Sequence, residues 1–191
     1  MAGEYVFNLS HLTRQHEKKI VLDDVNLAFY FGAHIGVIGS NGSGKSSLLR
    51  ILSGEDKDFM GSCMIAKNVR IGFLPQEPRL DPEKTVMQCV DEGVAASRKL
   101  LARYDEVCDL LATGLSDEEQ EKLNDELGRL QDTIDTNDLW NLDHLVELAM
   151  DALRLPPPEA SVATLSGGEK RRVALCRLLI SNPDEELLEA S

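Results

Sequence analysis

Several features that would place a protein at once are missing from these 191 residues. No apolar stretch approaches the ~20 residues needed to cross a bilayer, and no signal peptide is visible at the N-terminus. The expectation is therefore a cytosolic globular protein. Cys63, Cys89, Cys108 and Cys176 are scattered without close pairing, which argues for reduced structural thiols and against a zinc site. His11, His16, His34 and His144 show no ligand spacing either. There are no internal repeats and no long disordered run. Basic residues are scarce in one region only. Residues 91–160 hold 18 acids against 6 bases, whereas residues 1–90 balance 10 against 10, and the whole chain carries −13. With 42% hydrophobic residues, the chain can bury the core of one domain with an appendage.

What is present begins with a glycine-rich loop. His34-Ile35-Gly36-Val37-Ile38 is a short apolar run after the turn-like Phe31-Gly32-Ala33, and it reads as a buried strand. Gly39-Ser40-Asn41-Gly42-Ser43-Gly44-Lys45-Ser46 follows. Its glycines are spaced so that backbone N–H groups turn inward to cradle phosphate oxygens. Lys45 would reach the β- and γ-phosphates, and the Ser46 hydroxyl would ligate Mg²⁺. Ser47 to Leu52 continues as a helix whose N-terminus faces the phosphates, with Gly54 just past its end.

Further along, Leu165-Ser166-Gly167-Gly168-Glu169 runs into the basic Lys170-Arg171-Arg172. Ser166 can N-cap a helix, and two glycines let backbone approach an anion. Alone, this segment is equally a helix cap without a ligand. Between the two motifs, Ile71-Gly72-Phe73-Leu74 reads as a strand leading to Pro75-Gln76. Taken alone, Gln76 is an ordinary polar loop residue.

The acidic middle has its own pattern. Val90, Val94, Ser97, Leu101, Tyr104, Cys108 and Leu111 recur at alternating four- and three-residue steps. Thr113-Gly114 breaks the run, and Ser116-Asp117-Glu118-Glu119 resembles a capping box opening another helix. Leu123, Leu127, Leu130 and Ile134 supply a second seam. Two arrangements fit. One is an antiparallel hairpin projecting ~35–40 Å; the other is a pair of amphipathic helices lying on the core. A third helix is expected over Leu139–Leu153, with Leu142, Leu145, Val146, Ala149 and Leu153 on one face and Trp140 as a packing anchor. Pro156-Pro157-Pro158 then stops it.

A phosphate loop followed by Leu165-Ser166-Gly167-Gly168-Glu169 resembles the ATP-binding-cassette (ABC) superfamily. That resemblance implies an α/β P-loop cassette with an antiparallel β N-terminal part and an inserted helical-hairpin arm. It implies three parts: a nucleotide-binding core over 1–84, a helical subdomain with the arm over 85–155, and the signature segment over 156–191. ATP and Mg²⁺ are the implied cofactors. Residues 39–47 would hold nucleotide, Ser46 and Gln76 would face the metal, and Gln76 and Lys45 would serve catalysis. Ser166, Gly167, Gly168 and Glu169 would meet the γ-phosphate held by a second cassette. The 89 positions from Gln76 to Leu165 are long for a transporter ATPase and resemble the ABC-F branch, soluble proteins that act on ribosomes. The branch implies binding at the tRNA exit site, with rRNA, tRNA and a stalk protein as partners and no membrane, and control of elongation by ATP. An ATP-binding subunit of a membrane transporter is the alternative, and a non-catalytic nucleotide-binding module is a third.

The sequence departs from the superfamily pattern in places. Where an aromatic residue would stack on adenine stands Arg14-Gln15-His16-Glu17, which leaves adenine recognition open. The hydrolytic strand should be four apolar residues ending in Asp-Glu, but Glu185-Glu186-Leu187-Leu188-Glu189-Ala190 stands there. Glu189 falls where the metal-associated Asp belongs and Ala190 where the catalytic Glu belongs. Two glutamates are expected to prevent a buried strand at 185–188. The expectation is a first-cassette fragment of a longer ATPase that hydrolyses ATP poorly. An acidic arm suits a basic protein partner better than rRNA, or is simply a solvated face.

Overall fold

A computed structural model describes residues 5–17, 19–113 and 116–189. They form two compact units, one running to Gln76 and resuming at Asn182, the other spanning Glu77–Ser181.

The first unit is built on an antiparallel hairpin, β1 (Tyr5–His16) and β2 (Lys19–Tyr30), joined by β3 (Met60–Ile65) on the free edge of β1. Strict alternation in β1 would put residues 9, 11 and 13 on one face. A register shift between Leu9 and Leu12, with His11 at φ 51°, turns Leu12 inward beside Leu9 instead. Both leucines are buried as a result. Helix α1 (Lys45–Leu52) lays Leu48, Ile51 and Leu52 against this sheet at the three- and four-residue spacing of one helical face. Gly54 follows it at φ 80°, as expected for the residue after the helix.

A second sheet in this unit pairs β4 (Ile71–Leu74) with β5 (Glu185–Leu188) in parallel, Ile71 opposite Glu185 and Leu74 opposite Leu188. Residues 185–188 form a strand, but not the buried central one that their glutamates were expected to prevent. The strand is paired on one side only, so Glu186 stays exposed and Glu185 half-buried, and neither carboxylate is fully desolvated. His34–Ile38, expected as a buried strand, is not a strand and is not buried; Ile38 is 97% exposed. Among the described residues it has no ladder partner. A cavity of about 450 Å³, lined by Phe7, Phe29, Ile35, Val37, Leu52 and Leu187, lies between this segment and β5. An apolar run becomes a buried parallel strand only when a neighbour takes up its backbone groups.

The second unit is helical: α2 (Val86–Asp91), α3 (Ala95–Leu111), α4 (Asp117–Thr136), α5 (Leu142–Ala152) and α6 (Gly167–Ile180). Its core joins Val86, Val90, Val94, Ile134, Val146 and Val173 with the buried thiols of Cys89 and Cys176. Burial pushes the Cys176 thiol up to about 11, so it is inert at neutral pH. The seam beginning at Val90 runs through two helices, not one. A tight turn at Glu92–Val94 separates α2 from α3, and Gly93 sits there against α6. A β-carbon at Gly93 would lie 2.4 Å from the Arg177 carbonyl oxygen.

Helices α3 and α4 pack along each other as the predicted hairpin, shorter than expected at 17 and 20 residues, or about 25–30 Å. Only Val107 and Ile134 are fully buried within them. The expected leucine seam is half-buried, and Arg103 grips Glu126 across it through two bonds of 2.7 and 3.0 Å. The predicted capping box is present, with Ser116 donating to Glu119. The third helix starts three residues late, after a turn at Leu139–Asn141, because Asp138 takes a left-handed conformation at φ 49°. Leu145 was expected on its buried face; it is 41% exposed.

Candidate nucleotide-binding site

The glycine-rich loop occupies residues 39–44, between the extended segment and α1. Gly42 and Gly44 take φ of 79° and 93°, left-handed conformations that favour glycine and that a phosphate-cradling loop requires. Gly44 has a second constraint. It is buried against β2, and a β-carbon there would meet the Val21 carbonyl oxygen at 2.4 Å and Leu22 Cδ2 at 2.9 Å. Only glycine can cap α1 here while packing so closely. Ser43 closes the turn by donating its N–H to the Ser40 carbonyl at 3.2 Å. Asn41, Gly42 and Ser43 are exposed, while Ser46 and Ser47, in the first turn of α1, are half-buried.

Lys45 bends back over this loop. Its ammonium donates to the Gly39 carbonyl at 2.7 Å and the Ser40 carbonyl at 2.9 Å. The positive charge therefore sits over the first two residues of the loop. The arrangement suits a polyphosphate.

At the base of the loop the structure brings together residues far apart in sequence. The Ser46 hydroxyl donates to one carboxylate oxygen of Glu189, and the Gln76 N–H donates to the other at 3.3 Å. Glu189 is 7% exposed and directly follows β5, whose pairing with β4 brings it beside Gln76. Sequence reasoning placed Glu189 at the metal-associated position but did not count it as a site residue. That position in the superfamily pattern was itself the available signal. The Ser46 hydroxyl and the Glu189 carboxylate are hard oxygen donors that fit Mg²⁺. Ala190, expected at the catalytic carboxylate position, lies outside the described residues.

In the segment where an adenine-stacking residue was sought, Arg14 is turned onto Asp56 at 2.8 Å and Asp58 at 2.7 Å, and Gln15 donates to the Glu17 carbonyl at 2.9 Å. His16 is exposed opposite Lys19 at the hairpin end.

In the second unit, Ser166 is the N-cap of α6, as its sequence context predicts. Its N–H and hydroxyl donate to Glu169 at 2.8 and 2.7 Å, and the Glu169 N–H returns a bond of 3.3 Å. These bonds from Ser166 hold the Glu169 carboxyl below its ordinary range. A β-carbon at Gly167 or Gly168 would meet nothing, so the first turn of α6 lies open to an approaching anion.

A glycine loop leading into α1 and a serine-capped Gly-Gly turn opening α6 point to a class of protein. The sequence profile of the ABC transporter family matches residues 22–188, and the chain belongs to that family. Its curated relatives fit the ABC-F resemblance. The energy-dependent translational throttle protein EttA of Mycobacterium tuberculosis (strain H37Rv) is 48% identical over 98% of this chain and 33% of its own length. EttA of Escherichia coli (strain K12) is 49% identical over 90% of this chain and 31% of its own. The tylosin resistance ATP-binding protein TlrC of Streptomyces fradiae is 34% identical over 95% and 34%. The chain thus spans about a third of the length of these relatives. Among solved structures, an ATP-binding subunit of an ABC transporter superposes with a TM-score of 0.64 at 18% identity, covering 96% of this chain and 65% of that one. A metal-chelate-type ABC transporter superposes with a TM-score of 0.57 at 19% identity, covering 96% and 59%. At such identities the likeness shows the cassette fold alone. Among the described residues, no helix is long and apolar enough to cross a membrane.

Proposed function

We propose that this chain is the first ATP-binding cassette of an ABC-F translation factor, acting on the ribosome in the cytoplasm in response to ATP. The observation that carries the nucleotide part is the junction of Ser46, Glu189 and the Gln76 backbone beneath a glycine loop rimmed by Lys45. The translational part rests on 45–49% identity to throttle proteins over 90–99% of the chain. Functionally the chain divides into a nucleotide core at 1–84, a helical arm subdomain at 85–155 and a signature segment at 156–191.

In this reading the N–H groups of residues 39–47 bind the phosphates. Lys45 exchanges its carbonyl contacts for phosphate oxygens and keeps the charge paired. Ser46, Glu189 and Gln76 would hold Mg²⁺, which when bound neutralises phosphate charge. Ser166 and Gly168 would bind the γ-phosphate held by a second cassette, so that ATP closes two cassettes onto each other. Ribosomal RNA, tRNA at the exit site and a stalk protein are the partners this implies. Alanine follows Glu189, so no carboxylate stands next in sequence to orient an attacking water, and hydrolysis by this chain is slow.

Two measurements test the proposal. The chain should co-sediment with ribosomes in ATP and not in ADP, and Lys45→Ala should remove the difference. Phosphate release at saturating MgATP should stay near background. Co-purification with a membrane permease in place of ribosomes would favour the transporter reading.

A further inference from the structure

One apolar surface of the second unit is not explained by nucleotide binding. Leu145 and Leu148 stand one turn apart on α5 and are 41% and 59% exposed. Trp140, just before the helix, is 50% exposed. Its ring is nevertheless fixed. It meets Tyr104 edge-on at 5.2 Å between centroids, and its indole N–H donates to Asp135 at 2.6 Å. A rigid, half-exposed tryptophan just before a helix that exposes two leucines has the composition of an interface centre.

Charge defines the occupant. Asp143, Glu147 and Asp151 recur at four-residue steps along α5 and form an exposed stripe, with Asp151 one turn from Leu148. Asp143 is paired with Arg98 at 2.9 Å. Among the described residues, Glu147 and Asp151 have no ion-pair partner. The surrounding segment, residues 91–160, holds 18 acids against 6 bases. RNA phosphates would be repelled here, and a second copy would bring like-charged stripes together. A helix carrying leucines on one face and lysine or arginine beside them matches both features.

We infer that Trp140, Leu145 and Leu148, with the acidic stripe of α5, form a docking surface for a cationic amphipathic helix of a basic protein. This surface does not depend on the ribosome assignment, since it follows from α5 and its neighbours alone. The apolar contact supplies binding, and the carboxylates set register and exclude other partners.

Trp140 is the sole tryptophan, so its emission reports this surface directly. The probe is a synthetic leucine–lysine peptide of about 18 residues, five helical turns, titrated into the full chain. The expected result is a saturable blue shift whose affinity falls between ~50 and ~300 mM salt. Leu148→Glu, an exposed position whose circular dichroism should stay native, should weaken binding by about tenfold or more. Polylysine, which has the charge without the apolar face, should give no blue shift. An equal shift with polylysine, unchanged affinity in Leu148→Glu, a shift with single-stranded oligouridine, or a shift that depends on protein concentration without peptide would each overturn the proposal.

Discussion

Replacing Gly44 by alanine separates the two demands made on the phosphate loop. At φ 93° any side chain costs about 1–2 kcal/mol in left-handed backbone. The new methyl would also sit 2.4 Å from the Val21 carbonyl oxygen, which is backbone and cannot swing aside. Relieving that clash by shifting β2 or α1 costs about a further 1–3 kcal/mol, as overpacking does. Gly42 is the internal control: its φ is similar at 79°, but a β-carbon there meets nothing. Gly42→Ala should therefore lose only the conformational part. The difference between the two variants, about 2 kcal/mol, corresponds to a shift of about 1 M in urea midpoint for an m-value near 2 kcal/mol/M. Both variants should be measured by urea unfolding followed by circular dichroism, and by titration with a fluorescent ATP analogue. Gly44→Ala should be the less stable of the two and should bind ATP more weakly, because the loop it caps can no longer hold its N–H groups in register. Equal midpoints would refute the claim that Gly44 is required by close packing against Val21.

Three further outcomes follow. Ser46→Ala should weaken ATP affinity about tenfold in the presence of Mg²⁺ and little in its absence, read by titration with and without a chelator. Hydrogen bonding from Lys84, opposed by partial burial and reinforced by Arg177, holds the Glu92 carboxyl below its ordinary 4.5. Because the folded value is depressed, this stability is present above pH 4.5 and lost as pH falls through the depressed value. Glu92→Gln should thus lower stability by about 0.5–1 kcal/mol at pH 7, the modest value of a partly exposed pair, with the difference fading toward pH 3 in urea titrations. Ile134→Ala, a fully buried truncation at the root of the hairpin, should cost about 2–5 kcal/mol and lower the melting temperature by at least about 5 °C in calorimetry.

The parts of this molecule readable from sequence are those whose causes are local. The capping box Ser116–Glu119 and the N-cap Ser166 close within one helical turn, so a few letters suffice to predict them. The glycine loop is likewise a short-range device. Elements set by distant partners were misread. The apolar run 34–38 carries the pattern of a buried strand, yet a strand exists only if another supplies its ladder, and that information is not in the run itself. At 185–188 the glutamates do keep the strand from being buried, but its pairing with 71–74 likewise depends on a distant partner. The break between α2 and α3 at Gly93 depends on the Arg177 carbonyl, far along the chain. Leu145 looked inward by periodicity, but α5 turns Leu142 and Val146 to the core and leaves Leu145 41% exposed. At the site, Lys45, Ser46 and Gln76 were legible as motif letters. What the fold added is Glu189, whose contact with Ser46 needs β5 to lie parallel to β4.

The central claim is that residues 39–46 bind the triphosphate of ATP through backbone N–H groups and the Lys45 ammonium. The most direct test is the dissociation constant of a fluorescent ATP analogue for Lys45→Ala against the unaltered chain. Loss of charge-assisted bonds worth about 1.5–3 kcal/mol predicts at least a tenfold weaker constant with native circular dichroism. An unchanged constant would contradict it.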